Sequence, residues 1–279
     1  HHDLGVSLEK QAAYREAEAH YRQAIKIWQT MGNDNDLSNS LTHLGGILSK
    51  RGEHDEALAL LKESQEIALS VGAIRRAAFA IAGMGDTHFR RQAYEEAIKA
   101  YRLSTGYAQD AQVQYLEVSN QIQISDCLYY LNQDEDHAEA LRQAEQARAT
   151  AAAIGLALEE GLAVTIQAKI YVKLGQYQEG IQHLAEAVTY ITTNNPVDYV
   201  IARLWWAYAL WLTDKHGDAL EQLEQAVQFI PPKNGLPPEL KHTVSEVRAC
   251  LTYFVNQASV SDEVRAGLDR LLETRSVED

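Results

Sequence analysis

The sequence is short of cysteine, of proline and of long apolar runs, and each shortage excludes a class of protein. Cys127 and Cys250 are the two cysteines among 279 residues, too few for a disulfide framework or a CxxC zinc motif. Free, buried thiols are typical of a reducing cytoplasm. Five prolines and 16 glycines exclude collagen-like and low-complexity sequence. No run approaches the roughly 18 apolar residues of a membrane helix, and no signal peptide or lipidation motif is present. We therefore expect a cytoplasmic location and no membrane contact.

Positive charge is also scarce. Lysine and arginine number 25 against 39 acidic residues, which gives a net charge of −14. Residues 111–200 hold only four basic residues and 12 acidic ones. Because an acidic surface repels the phosphate backbone, we expect no direct contact with nucleic acid.

Motifs for catalysis and metal binding are missing as well. The ten histidines include no HExxH or other ligand spacing. Gly83-Met84-Gly85 lacks the lysine and hydroxyl residue of a phosphate-binding loop, and no GxSxG occurs. We therefore predict no catalytic residue, no metal site and no cofactor, and an enzyme is a disfavoured interpretation.

The sequence does contain an internal repeat of about forty residues, a period typical of stacked helical units. One equivalent position in each repeat serves as a reference, which we call the anchor. The anchors are separated by 40, 40, 43, 40 and 39 positions, and they are Gly5, Gly45, Gly85, Leu128, Ala168 and Ala207. Nine positions after each anchor stands a ring-bearing residue. Twelve and 19 positions after each anchor, the residue is always Gly, Ala or Ser, and 16 positions after it the residue is large in every repeat except one. Offsets 12, 16 and 19 share one helix face, so the small side chains let a neighbouring backbone approach.

This pattern predicts helix–turn–helix units that must stack, because neither helix can bury its apolar stripe alone. Twenty-seven positions after the anchors, five of the six residues are Gly or Asn, which tolerate the left-handed conformation of a helix C-cap. The sixth is Gln112.

The repeated residues resemble the tetratricopeptide repeat. The resemblance is carried by Leu4-Gly5, Ala17, Tyr21 and Ala24, then by Leu44-Gly45, Gly52 and Ala57, by Met84-Gly85, Tyr94, Ala97 and Tyr101, by Tyr171, Gly175, Tyr177, Leu184 and Ala187, and by Ala219, Leu223, Ala226 and Pro231. It implies an all-α, right-handed superhelical solenoid of about seven helix-turn-helix repeats. The period exceeds the family's usual value of about 34 residues. It is similar to that of the subgroup with kinesin light chains, spindle-orientation adaptors and bacterial regulators like the maltose-regulon activator.

The two ends depart from the repeat. Residues 1–235 hold the six repeats, and residues 236–279 are predicted to form an atypical seventh repeat that caps the stack. Its two helices should run from Pro238 to about Gln257 and from Ser261 onward. At the start the first helix is cut short and His1-His2 resembles a tag remnant. The hypothesis is one continuous solenoid domain excised from a longer protein.

The resemblance implies a non-catalytic module that binds a protein or peptide in its concave groove, with a small-molecule effector as a further ligand. The alternative is the ligand-sensing or oligomerisation arm of a larger bacterial transcriptional or signal-transduction ATPase regulator. A helical-repeat RNA reader is disfavoured because the groove shows no regular code per repeat. By the family's geometry, the groove residues are Asn39, Thr42, Lys50, Phe79, Asp86, Phe89, Arg90, Tyr129, Gln133, Lys169, Lys173, Tyr208 and Trp211.

Overall fold

Antiparallel helix pairs recur along the chain in the computed structural model, which describes residues 1–10, 13–131, 134–230 and 236–273. These residues form fourteen α-helices and no β-strand. The helices are α1 (His2–Lys10), α2 (Tyr14–Met31), α3 (Asp34–Lys50), α4 (His54–Ser70), α5 (Ile74–Arg90), α6 (Tyr94–Asp110), α7 (Gln114–Leu131), α8 (Asp134–Ile154), α9 (Ala157–Lys173), α10 (Tyr177–Tyr190), α11 (Pro196–Leu212), α12 (His216–Val227), α13 (Pro238–Val255) and α14 (Asp262–Leu272).

The helices belong to two compact units, His1–Asp136 and His137–Asp279. In the first unit each helix from α1 to α7 packs against the next, and the first helices of successive pairs also touch, α3 with α5 and α5 with α7. In the second unit α9 to α12 pack in succession, α11 also contacts α9 and α13, and α14 contacts α12 and α13. This is the packing of an all-α solenoid of helical hairpins, and the predicted fold class is confirmed.

The predicted small positions lie at the helix contacts. All are buried: Ala17, Ala57, Ala97, Ala140, Gly180 and Ala219 at offset 12, and Ala24, Ser64, Ser104, Ala147, Ala187 and Ala226 at offset 19. The glycine anchors of the first unit face the large residue of their own hairpin. A Cβ atom on Gly45 would lie 2.7 Å from Cγ of Leu61, and one on Gly85 would lie 2.6 Å from Cε1 of Tyr101. Each glycine therefore makes the space that the large side chain fills.

The ring residue of the repeat marks the start of the second helix. The helices α2, α4, α6, α10 and α12 begin at Tyr14, His54, Tyr94, Tyr177 and His216. The C-cap prediction holds for Gly32, Gly72 and Gly155, which have φ values of 64°, 71° and 77°. It is wrong for Asn195, with φ −116° just before α11. The exception in sequence, Gln112, adopts φ 54° all the same, because the turn geometry is imposed by the hairpin. The equivalent Asn234 lies outside the described residues.

The helices α13 and α14 form the predicted C-terminal pair. Pro238 opens α13, and the Ser261 hydroxyl oxygen accepts a hydrogen bond from the Val264 backbone N–H at 3.4 Å, which caps α14. Cys127 and Cys250 are free and buried, as predicted. Among the described helices, none is both long and apolar enough to cross a bilayer.

Candidate functional site: the first-helix faces

The predicted ligand-binding residues lie on the first helices of the hairpins, on α3, α5 and α7 in one unit and on α9 and α11 in the other. We call these surfaces the first-helix faces, with α13 completing the face of the second unit. Gln133 lies outside the described residues.

On α3 the predicted polar residues are bonded to neighbouring side chains. The amide nitrogen of Asn39 lies 3.0 Å from Nε2 of His2. The Thr42 hydroxyl donates to the Ser38 carbonyl at 3.1 Å, and the exposed Lys50 donates from Nζ to a Glu9 carboxylate oxygen at 3.1 Å. The hydrogen-bonding capacity of α3 is therefore largely used within the first unit.

Glu9 is the centre of this network. Its carboxylate accepts from Tyr21 at 3.2 Å and contacts Nδ1 of His43 at 3.3 Å, besides Lys50. Burial alone would raise the pKa of Glu9, but the hydrogen bonds of His43 and Lys50 and the lysine charge outweigh it and lower that pKa to about 2. Glu9 is thus held as a carboxylate that ties α1 to α2 and α3.

On α5 the predicted residues have defined partners too. The Arg75 guanidinium lies 5.9 Å from the ring centroid of Phe79. Asp86 accepts a hydrogen bond from the buried Tyr101 hydroxyl at 2.7 Å. Burial, followed by the Asp86 charge, raises the pKa of Tyr101 well above its usual value.

Arg90 and Phe89 lie at the C-terminal end of α5. Nη1 of Arg90 donates to the Ser49 hydroxyl at 3.4 Å. The Phe89 ring is 5.6 Å from Tyr94 and 5.8 Å from Tyr130, centroid to centroid. Tyr130 is in turn 4.9 Å from Tyr129, which is only 2% exposed. The aromatic residues at this end therefore pack on one another, and Tyr129 offers almost no surface.

In the second unit the two predicted lysines are one turn apart on α9. Lys169 is 4% exposed, and its Nζ lies 5.9 Å from the ring centroid of Trp205 on α11. Lys173 is exposed. Although most of the residue is exposed, partial loss of water around the ammonium group lowers the pKa of Lys173, Glu246 on α13 raises it, and the Lys169 charge lowers it. Two lysines of α9 and a carboxylate of α13 thus lie close enough together to influence one another.

Aromatic rings of α11 and α13 lie beside the lysines. Tyr208 is 5.7 Å from Trp205 and 6.0 Å from Trp211, centroid to centroid, and Trp211 is 6.0 Å from Tyr253. Tyr208 and Trp211 are partly exposed, whereas Trp205 is buried. Burial, with smaller contributions from Tyr177, Cys250 and Glu246, raises the pKa of Tyr208. A row of half-exposed rings therefore flanks a pair of cations.

Sequence reasoning missed several residues of the second unit. Glu246 and Tyr253 belong to the atypical last pair, which has no repeat register from which a face could be assigned. Gln167 is only 7% exposed although it carries an amide. The available signal was that Gln167 and Lys169 interrupt an otherwise apolar stretch of α9.

Among the described side chains, no three His, Cys, Asp or Glu residues are close enough together to hold a metal ion.

A family model for the tetratricopeptide repeat matches residues 1–70 and 36–110. A search of curated proteins found no match to this sequence.

Solved structures share the fold at low sequence identity. A signal transduction ATPase with numerous domains and a tetratricopeptide repeat sensor, from Pyrococcus horikoshii, is 12% identical with a TM-score of 0.68, and the match covers 97% of this chain and 40% of that one. A Rap protein complexed with Competence and Sporulation Factor is 14% identical, with a TM-score of 0.64 over 97% of this chain and 75% of that one. NprR, a quorum sensor from B. thuringiensis, has been solved with its cognate peptide NprX. That complex is 11% identical, with a TM-score of 0.62 over 96% of this chain and 84% of that one.

Proposed function

We propose that this chain, of which residues 1–110 match a family model for the tetratricopeptide repeat, is a non-catalytic module that binds a protein or peptide ligand. The ligand lies on the first-helix face of the second unit. The observation that carries the proposal is the pair of cations, Lys169 and Lys173, beside the rings of Trp205, Tyr208 and Trp211. Support comes from NprR, a protein of the same fold that holds a peptide.

The charges of this face favour an acidic ligand. Glu246 favours the charged form of Lys173, whereas the neighbouring Lys169 charge opposes it, so Lys173 experiences repulsion from Lys169 beside the attraction of one carboxylate. A carboxylate, from an Asp or Glu side chain or from a peptide C-terminus, would relieve that repulsion and form charge-assisted hydrogen bonds. The exposed edges of Tyr208 and Trp211 would bury the neighbouring apolar side chains of the peptide, since large rigid rings often dominate binding energy.

The first unit is expected to contribute less to affinity. Its predicted residues Thr42, Lys50, Asp86 and Arg90 already bond to Ser38, Glu9, Tyr101 and Ser49. A ligand would have to replace those bonds, so it would gain little net free energy there. We propose that these residues, with Asn39, Phe79, Phe89 and Tyr129, stabilise the first unit and do not contact the ligand.

The experiment is a peptide array probed with the 279-residue protein, followed by calorimetric titration of the strongest peptide. Lys173→Gln should weaken binding by about 10-fold, and Trp211→Ala by at least about 10-fold. Lys215→Gln, at another exposed lysine of the same unit, is the matched control and should bind normally. Higher salt should weaken binding of the wild type. Unchanged affinity in both test variants would contradict the proposal.

A second function has its own supporting observation, the match of 97% of this chain to 40% of the Pyrococcus horikoshii ATPase with its tetratricopeptide repeat sensor. In this proposal the chain is the sensing arm of a larger regulator, and ligand binding shifts that regulator between two states. Sequencing the surrounding reading frame tests it. A nucleotide-binding P-loop or a helix-turn-helix domain in frame would support the regulator, and a frame without either would contradict it.

A further inference from the structure

A cavity of about 490 Å³ lies in the second unit between α8, α9 and α10. Its size is typical of small-molecule sites, which measure about 300–1,000 Å³. It is separate from the first-helix face, because most of its wall comes from the second helices α8 and α10. The polar and aromatic residues of its lining are Glu145, Arg148, Glu160, Gln167, Tyr171 and His183.

Gln167 is the buried polar group of this cavity. Its side-chain oxygen is shielded from solvent and accepts no hydrogen bond from any described residue. Gln222 provides the comparison within the same unit, since it is equally buried at 7% exposure but accepts a hydrogen bond from Nη1 of Arg203. A buried amide oxygen without a donor costs folding free energy, and a ligand that donates to it would recover that cost.

The charges around Gln167 define the sign of the ligand. Arg148 is engaged by two carboxylates: Nη2 pairs with Glu186, and Nε lies 3.9 Å from Glu160. Glu145 is the second carboxylate of the wall, after Glu160. Arg148 is also paired with Glu186, which lies outside the lining, so two carboxylates face one arginine whose charge is already engaged, and the wall attracts a cation rather than an anion.

Two rings form the aromatic part of the wall. Tyr171 on α9 and His183 on α10 lie 5.0 Å apart, centroid to centroid. Nδ1 of His183 is 2.9 Å from the Glu179 carbonyl oxygen, which holds the ring in place. Ring faces at this position can pack on an alkyl chain and attract a cation.

We propose that this cavity binds a small organic cation, a primary amine or a guanidinium compound. An N–H of the ligand donates to the Gln167 side-chain oxygen, its charge pairs with Glu145 and Glu160, and its alkyl chain packs on Tyr171 and His183. The site does not depend on peptide binding, because none of these residues belongs to the face assigned to the peptide.

The test is a calorimetric titration of the 279-residue protein with putrescine, agmatine and 1,4-butanediol. Putrescine and agmatine distinguish an amine from a guanidinium ligand, and butanediol has the same chain length without charge. We expect saturable binding of at least one of the two cations and none of butanediol. Absence of saturable cation binding at millimolar concentrations, or equal binding of the diol, would overturn the proposal.

Variants assign the binding to this cavity. Gln167→Leu should weaken cation binding about 10-fold, the value of one hydrogen bond to a charged group. Glu145→Gln should weaken it by roughly 3-fold, since that carboxylate is exposed. Gln146→Leu changes the neighbouring, exposed glutamine of α8 and should leave binding unchanged.

Thermal unfolding separates loss of the site from loss of the fold. Gln167→Leu removes a buried side-chain oxygen that has no donor among the described residues and replaces it by an apolar group of similar size, so its Tm without ligand should equal or exceed that of the wild type. Full cation binding by both Gln167→Leu and Glu145→Gln would overturn the assignment. The assignment would also be overturned if Gln167→Leu lowered the Tm while Glu145→Gln bound the cation as tightly as the wild type.

Discussion

The two units share one repeat but bury different polar groups. In the first unit the buried polar groups are mainly hydroxyls that bond to backbone carbonyls of their own hairpin. Ser64 donates to Ser38 at 2.6 Å, Ser104 to Ala78 at 2.9 Å, and Thr87 to Gly83 at 2.8 Å. In the second unit the buried polar residues include the long side chains of Gln167, Lys169 and Gln222.

The difference teaches where a ligand is needed. A serine or threonine hydroxyl has one donor and finds a carbonyl within its own hairpin, so these three hydroxyls of the first unit are paired without a ligand. An amide or ammonium group has more hydrogen-bonding capacity and costs more when buried. The first unit also contains all of residues 1–110, the part that the family model matches. Regular repeats thus form a scaffold, and departures from the repeat mark the candidate sites.

Among substitutions that test the packing of the first unit, we expect the largest loss of stability at Gly85. Gly85→Val places side-chain atoms where Tyr101 lies, since even a Cβ atom would be 2.6 Å from its ring. We expect a loss of at least ~3 kcal/mol in the free energy of unfolding, measured by urea denaturation.

Gly106 provides the control for Gly85→Val. It is exposed on α6, and a Cβ atom there would meet no other atom within 4 Å. Gly106→Val should change stability by no more than about 0.5 kcal/mol. Equal stabilities of the two variants would show that the close contact at Gly85 is not what holds the hairpin together.

A smaller effect is expected at Asp198 in the second unit. Burial, and then the charge of Glu239, raise the pKa of Asp198 to about 6. An acid with a raised folded pKa binds more protons when folded, so stability falls as the pH rises from about 4 through about 6. Asp198→Asn should therefore gain about 2 kcal/mol at pH 7 and lose this pH dependence. Urea denaturation between pH 4 and 7 checks this. Parallel pH profiles of the two proteins would refute it.

Glu9 in the first unit should respond to pH in the opposite direction. Its pKa is lowered to about 2, so its contribution is complete above the unfolded value of 4.5 and is lost as the pH falls through 2. Glu9→Gln should cost about 1 kcal/mol at pH 7. Glu63→Gln, at an exposed position of α4, should cost almost nothing. If the free energy of unfolding fell equally with decreasing pH in Glu9→Gln and in the wild type, the network around Glu9 would have no energetic role.

The smallest effect is expected at Ser64. Its hydroxyl donates to the Ser38 carbonyl, but alanine stands at the same offset in four other repeats, for example Ala24 and Ala187. Ser64→Ala should therefore cost only about 0.5–1 kcal/mol, the usual net value of one hydrogen bond. A loss above ~2 kcal/mol in urea denaturation would mean that hydroxyls, and not small size, are required at this offset.

The hairpins could be predicted from the sequence because their requirements are local. Two features of the sequence indicate which helix faces meet. They are the small residues at fixed offsets, such as Ala97 and Ala187, and the ring-bearing residue at the start of the second helix. The left-handed turn at Gln112 could not be predicted from its residue type, since the packed hairpin imposes it. The burial of Tyr129 and the lack of a described donor to the Gln167 side-chain oxygen depend on which side chains surround them in space, and the sequence of one repeat does not contain that information.

The most direct test of the central claim compares the two units in one titration. The peptide selected on an array is titrated by calorimetry into the wild type, Lys173→Gln and Phe89→Ala. Binding through the second unit predicts about 10-fold weaker binding for Lys173→Gln and less than about 2-fold for Phe89→Ala. The reverse order would contradict the account and place the ligand on the first unit.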